Sequence, residues 1–236
     1  MHLTFSHGRE FVRQIRPFLE RHDPEGLLRH LQRYWPLDQL RLLLDTENSD
    51  AVKVALVCLS MTGEMADNAR IAAFLGDDDS MTAALAEHAM WSIWFRGPDE
   101  IAGYELTRAV QLLSQNRLNA AIRCLNRLIK YRPDFAEAYN QRAIAYFLKE
   151  AYDRSILDCE QALRLNPHHF GAMAGIGHCH AAMGRLECAL TAYTRSLQMH
   201  PRLEGIRQSI RQIREKLTHA QSPAMPSAAP LPARPA

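Results

Sequence analysis

The sequence predicts an all-α protein built as a solenoid of stacked helix pairs. Long alternating β-branched runs are absent, and only 11 glycines occur in 236 residues. The second half repeats itself with a period of 34 residues, starting at Ala102, Ala136 and Phe170. A fixed period of this size marks a repeat architecture in which neighbours bury each other's apolar faces. The first half twice shows an apolar helix, a short acidic loop and a second apolar helix. Its one Val-rich run, Val52 to Val57, sits in that helical context.

Composition narrows the function classes. Apolar residues make up 47% and charged residues 23%, the balance of an ordinary folded, water-soluble chain. A net charge of +2 is too small to argue for nucleic acid on bulk charge. Charges interrupt the first eighteen residues too often for a secretory signal, and no stretch has the apolar length of a membrane span. Glu10 and Glu20 argue against a transit peptide. Cys58, Cys124, Cys159, Cys179 and Cys188 are odd in number and irregularly spaced, without a CxxC pair. Reduced thiols in a cytoplasmic protein are expected.

In chain order, residues 7–22 predict a helix with Phe11, Ile15, Phe18 and Leu19 on one side and a kink at Pro17. Residues 1–23 form this N-terminal unit, and Asp23-Pro24-Glu25 starts the next helix. Residues 24–97 hold the helix pairs. Leu44 and Leu75 end the two first helices, and Ser49 and Ser80 are the expected caps of the second ones. The junction Arg96-Gly97-Pro98-Asp99 is too short for a flexible linker, so a continuous superhelix is expected.

Residues 98–203 carry the repeats. Each first helix has a small residue where its partner crosses closely: Ala109, Ala143 and Gly177. Each second helix has another, Ala121, Ser155 and Ala189, followed by a larger residue at Leu125, Cys159 and Tyr193. Leu118, Tyr152 and Leu186 start the second helices after turn-tolerant residues such as Asn116 and Gly184. Pro133, Pro167 and Pro201 close the units, because proline cannot continue a helix interior. Together these segments resemble three tetratricopeptide (TPR) repeats. Tyr139, Tyr146 and the pair Ile176-Gly177 carry the second and third. The first is degenerate: Glu105 stands at a large aromatic's place, with Tyr104 adjacent to substitute. The pairs in residues 24–97 resemble HEAT repeats of the short kind found in bilin-lyase-like proteins. That likeness implies a right-handed α-solenoid and protein binding. Residues 204–218 predict a capping helix with Ile206, Ile210, Ile213 and Leu217 on one face. The Pro/Ala-rich residues 219–236 predict a disordered tail.

No catalytic motif stands out, and no cofactor or metal is expected. The run Asp77 to Asp79 lacks calcium-loop spacing and reads as a solvated loop. His178, Cys179 and His180 point in different directions on a helix. His168 and His169 read as surface residues in a turn. The chain is therefore read as a non-catalytic scaffold holding an unknown protein or peptide. The alternatives are a subunit of a bilin-lyase-like enzyme, or RNA binding through Arg207, Arg211 and Arg214. Nucleic acid and membrane are otherwise set aside.

The TPR resemblance implies a peptide groove on the first helices. The inner face is expected to comprise Leu106, Val110, Leu113, Asn140, Ile144, Phe147, Ala174 and His178. It would hold an apolar peptide or helix, or be filled by the chain's own segments. The family's basic carboxylate clamp maps onto Leu106, Val110, Gln141, Gly171 and Gly175, which carry no cation. Chaperone C-terminal tails are set aside on that ground. Trp91, Trp94 and Phe95 are read as packing at the junction, with an aromatic anchor for a partner as the other reading.

Overall fold

The computed structural model describes residues 5–221. Expectations for residues 222–236, most of the Pro/Ala-rich tail, lie outside them. Thirteen α-helices and one 3-10 turn (65–67) make up the described residues, without a strand. The first half comprises α1 (Phe5–Glu20), α2 (Pro24–Tyr34), α3 (Leu37–Leu43), α4 (Ser49–Thr62), α5 (Asn68–Ala72) and α6 (Ser80–Arg96). The repeats are α7 (Glu100–Ser114) with α8 (Leu118–Tyr131), α9 (Ala136–Leu148) with α10 (Tyr152–Leu165), and α11 (Phe170–Ala182) with α12 (Leu186–Met199). Helix α13 (Glu204–Gln221) follows.

Local chemistry explains the boundaries. Asp23 accepts a hydrogen bond from the Gly26 amide at 2.8 Å, with Pro24 at the first helical position. The caps of α4 and α6 are Asn48 and Asp79, one residue ahead of the predicted serines. The longer side chains reach back to the Ala51 and Met81 amides, each at 3.2 Å. Asp79 also pairs with Lys53 at 2.6 Å, and these bonds hold its carboxyl down at about 2. The turns inside the repeats place Asn116, Glu150 and Gly184 in the left-handed region, at φ 56°, 58° and 73°. They stand one period apart. At Gly177 a Cβ would come within 2.4 Å of the Tyr193 ring, so the third helix crossing requires its absence.

Each repeat buries its own small cluster. Ala102, Leu106 and Ala109 pack with Leu125 and Leu128, and Ala143 with Cys159 and Ala162. Helix α13 inserts Ile206, Ile210 and Ile213 beside Ala189 and Tyr193. Tyr104 does not replace the missing aromatic of the first repeat. It is 69% exposed, and Glu105 fills the place by accepting from the Cys124 thiol at 3.1 Å.

The two halves do not run on end to end. The first half folds back along one edge of the repeats. Its core around Phe11, Leu56, Met90 and Trp94 includes Phe170, with Met199 and Leu203 packed against it. The reversal is made at Gly97, at φ 76°. A Cβ there would meet the Gly103 amide nitrogen at 2.9 Å, so glycine at 97 lets the chain turn tightly over the start of α7.

Candidate peptide-binding groove

The inner face is made by α7, α9 and α11, and it divides along its length. Near the helix N-termini it is closed. Leu106 is fully buried in the first repeat's core. Asn140 is 5% exposed and donates its amide to Glu137 at 3.0 Å. Ala174 is buried as well. These three expected groove residues therefore cannot meet a ligand in this arrangement. Helix α6 lies over this end: Trp91 stands so close to Gly171 that a Cβ there would meet its ring at 2.9 Å. Trp94, only 2% exposed, stacks on the His169 ring at 4.4 Å and donates to Asn68 at 3.0 Å. Trp94 is thus packing at the seam, not an anchor for a partner. Trp91 is half-buried against Phe170, and Phe95 keeps an exposed ring.

A buried polar network underlies this closure. The Glu137 carboxylate accepts from Asn140, from Gln141 at 2.7 Å and from His169 Nε2 at 2.8 Å. His169 Nδ1 accepts the Ala172 amide, so Nε2 carries the ring proton. Glu137 and His169 have fully buried side chains. His169 was expected on the surface; the first half covers it. Its polarity disguised this role, although Phe135, His169 and Leu203 form one column of large residues a period apart.

Toward the other end the face is open. Val110, Leu113 and Phe147 are half-buried, Ile144 is 41% exposed and Leu148 51%. His178 keeps an exposed edge while its Nδ1 shares a hydrogen bond with the Tyr193 hydroxyl at 2.8 Å; desolvation lowers its pKa below the usual 6.5. This is a short apolar strip, bordered by a ring nitrogen and hydroxyl. Among the described residues no three His, Cys, Asp or Glu side chains gather as metal ligands would, and no helix is long and apolar enough to cross a membrane. In α13, Arg207 donates to the Pro201 carbonyl at 3.2 Å and Arg211 to Glu204 at 3.1 Å.

The profile of the TPR repeat matches residues 111–150, and that of the tetratricopeptide repeat matches 136–169. The chain carries tetratricopeptide repeats. A TPR repeat-containing protein of Rhizobium etli is 31% identical over 109 residues, 46% of this chain and 53% of that one. The chain thus spans about half the length of this curated relative. The Sgt2 TPR domain of Aspergillus fumigatus superposes with a TM-score of 0.53 at 16% identity, over 59% of this chain and 93% of that domain, a likeness of fold. The first TPR of Spaghetti (RPAP3), solved bound to the HSP90 peptide SRMEEVD, is 25% identical with a TM-score of 0.48, over 50% of this chain and 93% of that one. One expectation is corrected: chaperone tails are not set aside for want of cations at the mapped positions, because a TPR domain 25% identical to this chain in sequence was solved with such a peptide bound.

Proposed function

We propose that the chain is a non-catalytic adaptor that holds a short protein segment in the open half of its TPR groove. The observation that carries this reading is the uncovered strip Val110, Leu113, Ile144, Phe147 and Leu148. These apolar side chains stay accessible beside a half of the same face where Leu106, Asn140 and Ala174 are buried. An extended or helical segment would lay apolar side chains on the strip, with His178 as a polar marker. The helix pairs α3–α4 and α5–α6 act in this reading as a HEAT-like brace that sets the length of the groove.

The test uses two labelled peptides, SRMEEVD and an uncharged apolar peptide of equal length. At least one should bind, and Phe147→Glu should weaken it at least tenfold, ~1.4 kcal/mol, with helicity intact. The peptide that depends on Phe147 identifies the ligand class. Binding unchanged by Phe147→Glu, or no binding by either peptide, overturns the groove assignment.

A further inference from the structure

The first TPR ends the array on a face that no described part of the chain covers, and a later repeat shows what fits such a face. In the third repeat a cleft is walled by Ile176 and His180 of α11 and by Cys188, Thr191, Ala192 and Arg195 of α12. Helix α10 closes it with Glu160, Leu163 and Arg164. Two periods earlier the equivalent residues are Arg108, Leu112, Ala120, Arg123, Cys124 and Arg127. They line a cleft of about 440 Å³. Among the described residues no helix stands in the place of α10.

The residues differ from those that later repeats use to pack on one another. Tyr104 corresponds to Ala138 and Ala172, both fully buried, yet is itself 69% exposed. Ile101 beside it is 61% exposed. Four arginines, at 108, 117, 123 and 127, surround the cleft. Glu105 is the one acidic partner, 3.5 Å from Arg108 and 3.9 Å from Arg127, and it is shared with Cys124. Its single charge leaves the face strongly positive.

We propose that this face docks an acidic amphipathic helix of a partner protein, seated as α10 is seated against the third repeat. Its carboxylates would meet the arginines, and its apolar side would cover Tyr104 and Leu112. A helix is favoured over nucleic acid because the uncovered place is that of a helix in the repeat plan, and because the apolar Ile101 and Leu112 beside the arginines suit the apolar side of a helix. It is favoured over a second copy stacked head to tail because α13 covers the opposite end of the array.

The probe is a labelled helical peptide of about 16 residues with glutamates on one face and leucines on the other, long enough to span the end of a repeat. Fluorescence anisotropy should show binding that weakens at least tenfold between about 50 and 500 mM salt. The double substitution Arg123→Glu, Arg127→Glu should weaken it at least tenfold without moving the melting temperature, and the Arg→Gln pair should weaken it less. Tyr104→Ala should weaken it about threefold, a loss of contact rather than of charge. Phe147→Glu should leave it unchanged, which separates this face from the groove. Equal binding of a peptide with lysines in place of the glutamates, insensitivity to the arginine substitutions, tighter binding of an oligouridine of similar length, or no binding at about 1 mM peptide would each overturn the proposal.

Discussion

The two edges of the repeat array are built from the same 34-residue plan and end up in opposite surroundings. Along one edge lie the turns inside the repeats, around Asn116, Glu150 and Gly184, all three exposed. Along the other lie the turns between repeats, and there the first half and the junction settle on all three. Equivalent positions make the contacts: Arg132 pairs with Asp99 at 2.6 Å, Asn166 accepts from Asn68 at 3.3 Å, and His200 Nε2 comes within 3.2 Å of Glu87 without the alignment of a hydrogen bond. One more position contributes Phe135, His169 and Leu203. A bare solenoid couples each repeat only to its neighbours. Here the first half touches the second and third of these turns, at Asn166 and His200, so the array should unfold as one unit with its brace.

The largest effect should come from the seam. Trp94→Ala removes a buried ring that touches His169, Phe170 and Asn68, and should cost ~4 kcal/mol in urea unfolding. Ile144→Ala on the open strip should cost less than ~0.5 kcal/mol. Similar losses at both sites would mean that the edges are not energetically distinct. A Trp94→Ala chain that unfolds in two steps, first half before repeats, would show that the seam supplies the cooperativity.

Glu137→Ala ranks next. It strands the amides of Asn140 and Gln141 and the His169 ring proton in a buried site, and should cost ~3 kcal/mol by the same measurement. Glu137→Gln keeps acceptor capacity and should cost less. If the alanine variant is as stable as the parent, the network is ornamental and apolar packing alone holds the seam.

This seam marks where legibility in the sequence ends. The repeats are legible because their packing is local: Ala109 meets Leu125, and Gly177 meets Tyr193, within one period. The seam is not, because Arg132, Asn166 and His200 are polar residues before prolines and resemble solvated turns. The groups that bury two of them, Asn68 and Glu87, lie in another part of the chain. The groove suffered from the same blindness. Reading it from the first helices alone exposed Leu106, Asn140 and Ala174, which the fold buries. Leu106 and Ala174 are taken up by the clusters of their own repeats and Asn140 by Glu137, whereas Val110, Leu113, Ile144, Phe147 and His178 stay accessible. The column Phe135, His169, Leu203 was the available signal: large residues recurring in turns need a partner surface.

The smallest effect concerns thiols, whose labelling reports on the seam. Cys188 lies exposed on α12, while Cys58, Cys124, Cys159 and Cys179 are buried. Burial pushes Cys58 up to about 12, and burial with the adjacent Glu105 carboxylate pushes Cys124 up to about 11. At about pH 8 the thiolate fraction of Cys58 is then on the order of one in ten thousand, so a thiol reagent should label Cys188 quickly and the others slowly. Cys58 belongs to the same core as Trp94, whereas Cys124 belongs to the first repeat. In the Trp94→Ala chain Cys58 should therefore become reactive faster than Cys124. Mass spectrometry of the labelled peptides decides it, because equal acceleration of the two would mean that loosening the seam opens the repeats as readily as the brace.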